Sequence, residues 1–164
     1  MYASPRHEVD GTTIEAMSVD ADAVFGIFES MTEEQVTSSE LSGSYDDLVM
    51  GPGTDTDFPE VEGLSYDELD AEGQQLVTDA INAYVADARP ELAEPLVELY
   101  TSQLSETSVG WSGSFERDSA AYMRISGPRL WIEWVNTGNP GEDGIHYHTV
   151  YRDQKLDYGT GAEE

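Results

Sequence analysis

A chain of 164 residues with 38% hydrophobic content, three Trp, nine Tyr and four Phe can build one packed core; this argues for a single domain over 1–164 and against disorder. Thirty-four acidic residues against seven basic ones give a net charge of −27, which argues against nucleic acid and anionic membranes as partners. The absence of cysteine excludes disulfides, thiolate zinc sites, iron–sulfur clusters and thiol catalysis, so any transition metal must be held by His, Asp or Glu.

The acidic residues are spread along the chain and not gathered in a tail. Such a charge destabilises a compact state at low ionic strength and is screened by concentrated salt, so the composition points to salt adaptation. A calcium loop is the rival reading, but Asp55 and Asp57 in GTDTD lack the distal Glu of an EF-hand. No apolar run is long enough to span a bilayer, and MYASPRHEVDGTT lacks the apolar segment of a signal peptide, so a soluble, cytoplasmic chain is expected.

In chain order, Val24, Phe25, Ile27 and Phe28 follow Ser18 and Asp20, either of which could cap a helix running to about Met31. TEEQ at Thr32 to Gln35 spells a capping box and opens a short helix to about Leu41. The stretch LVMGPGTDTDFPEVEG reads as a loop, punctuated by Gly51, Pro52, Gly53 and Pro59. SYDE at Ser65 to Glu68 is a second capping box. It opens a segment in which Leu69, Leu76, Val77, Ala80, Ile81, Tyr84 and Val85 recur at helical spacing, ending near Ala88. Leu92, Leu96, Leu99 and Tyr100 mark one more amphipathic helix, which Pro95 either starts or kinks.

From Ser108 the period changes to two. Val109, Trp111, Gly113 and Phe115 alternate with small polar residues, and AAYMRIS alternates as well. Gly127-Pro128 turns the chain into RLWIEWV, and the loop NTGNPGEDG leads to IHYHTVYR. The expected fold is α+β, with N-terminal helices packed on a C-terminal antiparallel sheet of about four strands. Residues 1–107 form the mainly helical part, 108–159 the strand meander and 160–164 a tail.

Two of the three histidines, His146 and His148, stand one residue apart in this last strand. Side chains at i and i+2 share a face, so the two imidazoles project side by side with Val150 and Arg152, a recurrent two-tooth clamp for zinc, copper, iron or manganese. A metal wants further ligands, and Glu133 in WIEW is one source. A symmetric hairpin about NTGNPGEDG sets Trp134 opposite His146 and turns Glu133 to the other face, whereas a one-residue slip brings it over. The alternative is that both histidines simply hydrogen-bond within a Tyr-rich strand. GWSGS does not match G-x-S-x-G, and GPG at Gly51 to Gly53 lacks the lysine of a phosphate loop. Trp111, Trp131 and Trp134 read as core and rim aromatics. Arg124, set mid-strand in YMRIS, is expected to pair with a carboxylate such as Glu133 or Asp153.

GWSG, then YMRISGPRLWIEWVN, then HYHTVYRDQKLDYG together resemble the closing signature of the domain-of-unknown-function family numbered 3500. LVMGPG and the helix GQQLVTDAINAYV are similar to the family's run before those strands, so the resemblance spans about Val24 to Gly159. Family members are usually much longer and carry a Gly-His-His motif in an N-terminal half. His7 stands alone and does not match that motif, so the chain reads as the C-terminal half, a fragment or a shortened form. The resemblance implies a fold and a set of site residues without an activity.

Two functional expectations follow. In the first, the chain is a divalent-metal-dependent enzyme or its remnant, with His146 and His148 as ligands of zinc, iron or manganese. Glu133 or Asp153 then completes the shell or orients a ring nitrogen, and Arg124 or Arg152 holds an anionic group of a small-molecule ligand or a structural carboxylate. In the second, the same residues are structural in a non-catalytic binding or assembly module whose missing half comes from a partner chain.

Overall fold

The computed structural model describes residues 7–14, 17–54, 57–138 and 146–156. The chain opens with a hairpin of β1 (His7–Val9) and β2 (Thr12–Ile14), which the helical reading of the first half did not anticipate. Helix α1 (Ser18–Glu29) follows. Neither Ser18 nor Asp20 caps it: the N-cap is Met17, in the left-handed region at φ 62° with no side-chain cap bond. Helix α2 (Glu33–Ser39) forms behind the expected capping box, in which the Gln35 N–H donates to Thr32 Oγ1 and the Thr32 N–H donates to Gln35 Oε1.

The SYDE box also closes, yet it caps only a single 3-10 turn, Tyr66–Glu68. Leu69 then returns to extended backbone and turns its side chain into the interior at 6% exposure. Asp70 restarts the chain as α3 (Ala71–Val85) by accepting the Gly73 N–H at 2.9 Å. Such a cap contributes about 1 kcal/mol. Helix α4 (Pro90–Thr101) begins at Pro90, where the missing N–H costs nothing, and Pro95 lies inside it.

The C-terminal half alternates as expected. β4 (Ser108–Gly113), β5 (Ala121–Ser126), β6 (Leu130–Asn136) and β7 (Tyr147–Asp153) form an antiparallel meander. A two-residue strand, β3 (Leu64–Ser65), extends it to five strands in the order β3-β4-β5-β6-β7. β3 requires Gly63 before it. At φ +112° a Cβ there would lie 2.3 Å from the Val109 carbonyl oxygen.

One apolar cluster joins Val24, Phe25 and Phe28 of α1 and Val77, Ala80 and Ile81 of α3 to Val109, Met123, Ile125, Ile132 and Trp134 of the strands. Phe25 meets Trp134 edge-on at 4.9 Å. The opposite face of the sheet is covered too. The irregular segments 40–54 and 57–62, together the strap, lie over it: Leu41 donates its N–H to the Trp111 carbonyl at 2.8 Å, and Tyr45 stacks on Tyr122 at 4.2 Å. Leu41, Tyr122 and Val135 form a second cluster with Leu48 and Val49 against it. The strap approaches so closely that a Cβ at Gly110 would sit 2.4 Å from Leu41 Cδ2. All seven residues of β6 are buried as a result. Trp131 and Trp134 are fully buried and Trp111 partly so.

The β6–β7 register departs from the symmetric hairpin: Glu133 pairs with Val150, Val135 with His148 and Trp131 with Arg152. Directly opposed residues share a face, so this odd offset brings Glu133 onto the face of His148, Val150 and Arg152. Residues 139–145 of the connecting loop and 157–164 of the tail lie outside the described residues, as do Asp55 and the His7 side chain.

Candidate functional site

Period-two alternation sets His146, His148, Val150 and Arg152 toward the strap and Tyr147, Thr149, Tyr151 and Asp153 toward the other side. The two imidazoles meet: Nε2 of His146 and Nε2 of His148 are 2.8 Å apart, with ring planes at 85°. The Nδ1 of His148 lies 2.6 Å from Oδ1 of Asp47, a strap residue. With Asp47 ionised, His148 donates Nδ1–H to it and leaves its Nε2 lone pair toward His146, which donates in turn. Partial burial pushes the Asp47 carboxyl up. The bonds from His148 and the Leu48 N–H, with the two imidazoles nearby, outweigh this and hold it below the usual carboxylate range. The His148 side chain keeps 33% exposure.

Glu133 shares this face but accepts elsewhere. Its Oε1 accepts the Val49 N–H at 2.8 Å and the Tyr122 hydroxyl at 2.5 Å, and its Oε2 accepts the Met50 N–H at 2.8 Å. A carboxylate at 0% exposure needs such donors, and the Val49 and Met50 amides among them clamp the strap to the sheet. Burial, followed by the charge of Glu133, raises the Tyr122 phenol far above its ordinary range and keeps it a donor. Arg152 donates from Nη1 to the carbonyls of Met50 and Thr54, both at 3.1 Å, and lies over the Phe58 ring.

Arg124 pairs with neither carboxylate expected of it. It faces Glu133 across β5 and β6, but that carboxylate is already ringed by donors, and Arg124 donates instead to Glu62 of the strap at 3.2 Å. The Ser42 N–H and hydroxyl, then Arg124, hold Glu62 below its usual range. Asp153 lies on the opposite face of β7, where Arg129 binds it through Nε and Nη2 and Tyr100 donates to it at 2.9 Å. It therefore does not orient either imidazole. That place is taken by Asp47, which no sequence signal separates from the other acidic residues.

Beside His148 is a cavity of about 620 Å³. Leu48, Gly51, Pro52 and Thr54 of the strap form one wall, Tyr147 and Thr149 of β7 the other, with Met17 also lining it. Its walls are mainly apolar, and Asp47 and His148 are the acidic and the basic side chain of its lining.

Two imidazole nitrogens bound to one ion at about 2.1 Å lie roughly 3.0 Å apart at a right angle and roughly 3.4 Å apart at a tetrahedral angle. The 2.8 Å separation of the Nε2 atoms is close to the first of these. Asp47 on the far nitrogen of His148 is the outer carboxylate that metal-bound imidazoles commonly carry. Among the described residues no group of three or more His, Cys, Asp or Glu side chains is gathered for a metal. The ring nitrogens that converge here are the two Nε2 atoms of His146 and His148.

The family model described as Protein of unknown function (DUF3500) matches residues 1–160, reaching further toward the N-terminus than the motifs beginning near Val24. No curated protein matches the chain, and no solved structure does. Among the described residues no helix is long and apolar enough to cross a membrane.

Proposed function

This chain belongs to the DUF3500 family of proteins of unknown function, and from that premise we propose that it is a single-domain, divalent-metal-dependent enzyme whose ion is held between His146 and His148. One observation carries this reading: the two Nε2 atoms converge at 2.8 Å while Asp47 engages Nδ1 of His148 beside an open cavity. A zinc, iron or manganese ion there would supply Lewis acidity to a bound carbonyl or water. The chain's own residues do the rest. Asp47 sets the tautomer that turns Nε2 of His148 toward the ion, and the apolar walls formed by Leu48, Pro52 and Tyr147 limit water. An ion there would take the place of the hydrogen bond between the two imidazoles, and His146 would carry its proton on Nδ1 instead of Nε2 to offer a lone pair.

Glu133, Arg124 and Arg152 have no catalytic part in this reading. They tie the strap to the sheet and so hold Asp47 over His148. Those bonds are what the second reading, a binding or assembly module, rests on. Metal analysis separates the two. After loading and exhaustive dialysis, the wild type retains about one ion per chain and His146→Ala with His148→Ala retains none. Equal metal content in both proteins removes the enzyme reading. Adaptation to concentrated salt belongs to the same proposal, supported by the net charge of −27.

A further inference from the structure

β7 is the last strand of its sheet, and the side of its backbone that faces outward can be worked out from the ladder. In an antiparallel pair the main-chain groups of a strand point alternately toward the partner and away from it. At one end of β7 the Thr137 N–H donates to the His146 carbonyl at 3.0 Å, and at the other the Gln154 N–H donates to the Arg129 carbonyl at 2.8 Å. Both pairs follow the β6–β7 register, so the even-numbered residues His146 through Gln154 turn their N–H and C=O groups toward β6. The N–H and C=O groups of Tyr147, Thr149 and Tyr151 therefore point away from the sheet. Among the described residues no main-chain bond from outside the sheet reaches them.

The cavity lies along this edge. It is lined by three consecutive strand residues, Tyr147, His148 and Thr149, whose side chains alternate between faces; only a space flanking the strand edge touches all three. An exposed row of strand donors and acceptors is a template for one more strand. We infer that this edge binds an extended peptide that pairs with the main chain of Tyr147 and Thr149. This rests on the proposed function in one respect: the peptide is then the substrate class of the metal site. A peptide residue opposite His148 projects on the imidazole face, with its backbone about 4.8 Å from β7.

Charge selects among peptides. The acidic and basic side chains of the lining are Asp47 and His148. Arg117, Arg124, Arg129 and Arg152 are each bound to strap, helix or strand groups of the chain itself. With Asp47 in the lining and a net charge of −27 on the whole chain, the fitting peptide is neutral or basic and carries no acidic side chains.

The test uses metal-free wild-type protein and three fluorescein-labelled peptides: Lys-Val-Thr-Val-Thr-Lys, the same sequence with Glu at both ends, and the Lys peptide N-methylated at alternate residues. The Lys peptide should bind, and hydrogen exchange at the Tyr147 and Thr149 amides should slow at least tenfold. The Glu peptide and the N-methylated peptide should each bind at least tenfold more weakly. Unchanged exchange at saturating peptide, or equal binding of the N-methylated form, overturns the inference. His146→Ala with His148→Ala keeps its strand edge and should still protect the two amides, so failure of the metal reading is seen separately. Thr149→Pro, which removes one donor, should abolish protection at position 147. The N-methylated peptide gives a result even if that variant does not fold.

Discussion

Glu133→Gln is the sharpest test of how the strap is held. The native carboxylate receives three donors, two on Oε1 and one on Oε2, at 0% exposure. The glutamine amide offers one oxygen. If that oxygen keeps Val49 and Tyr122, its NH₂ faces the Met50 N–H at the 2.8 Å now occupied by Oε2, and two donors oppose each other. Leaving a buried donor unsatisfied costs about 1–3 kcal/mol, and losing the charge on the two surviving bonds costs roughly 0.5–1 kcal/mol each. Relief from burying a charge offsets part of this, for a net loss of about 2–4 kcal/mol. In a chain of this length that corresponds to a Tm lower by roughly 5–15 °C. Urea unfolding followed by Trp131 and Trp134 fluorescence measures it, and Glu133→Ala should lose at least as much. Metal affinity per folded molecule should fall by less than in Asp47→Asn, because the Val49 bond still holds the strap near Asp47. A stability loss below about 1 kcal/mol would refute the clamp, because one buried donor cannot lose its acceptor, and two more their charged partner, so cheaply.

The reverse pattern is expected of Asp47→Asn. Its side chain is 60% exposed, so stability should move by less than about 1 kcal/mol, while metal affinity by calorimetry falls about 10- to 100-fold. At Asp153, burial acts to raise the carboxyl. Arg129, the Lys155 and Leu156 N–H groups and Tyr100 outweigh it and hold the native carboxyl below its unfolded value. A depressed native value contributes stability that is present above about pH 3.9 and is lost as pH falls through the native value. Asp153→Asn should therefore flatten the acid limb of stability against pH, and an unchanged limb would contradict it. Raising KCl from 0.1 to 1 M shortens the screening length from about 10 to about 3 Å. With a net charge of −27 the Tm should rise by several degrees, and a flat or falling Tm would remove the salt-adaptation reading.

Much of the secondary structure was open to a reader of the sequence. The TEEQ box begins α2, four alternating stretches become β4 to β7, and the His-x-His spacing puts both imidazoles on one face. These features depend on neighbours within a few residues, where backbone stereochemistry alone sets the period. Where two local signals competed, packing decided. The SYDE box was sound as a cap, but burying Leu69 and capping with Asp70 split the expected helix into a 3-10 turn and α3.

The partners of the site residues were set at longer range. Asp47 reaches His148 across 101 residues, and Val49 reaches Glu133 across 84. In a chain with 34 acidic side chains, composition cannot single out the one that meets an imidazole. Nor does local pattern choose between β6–β7 registers differing by an odd number of residues, because each satisfies the same alternation. The sequence by itself determined that two imidazoles stand side by side on a strand of an acidic α+β protein. Tertiary structure determined that the strap folds back over them, bringing Asp47 to one ring and turning Glu133 into a clamp. The physical reason is that hydrogen-bond partners distant in the chain are selected by how the folded layers meet, and periodicity along the chain carries no record of that meeting.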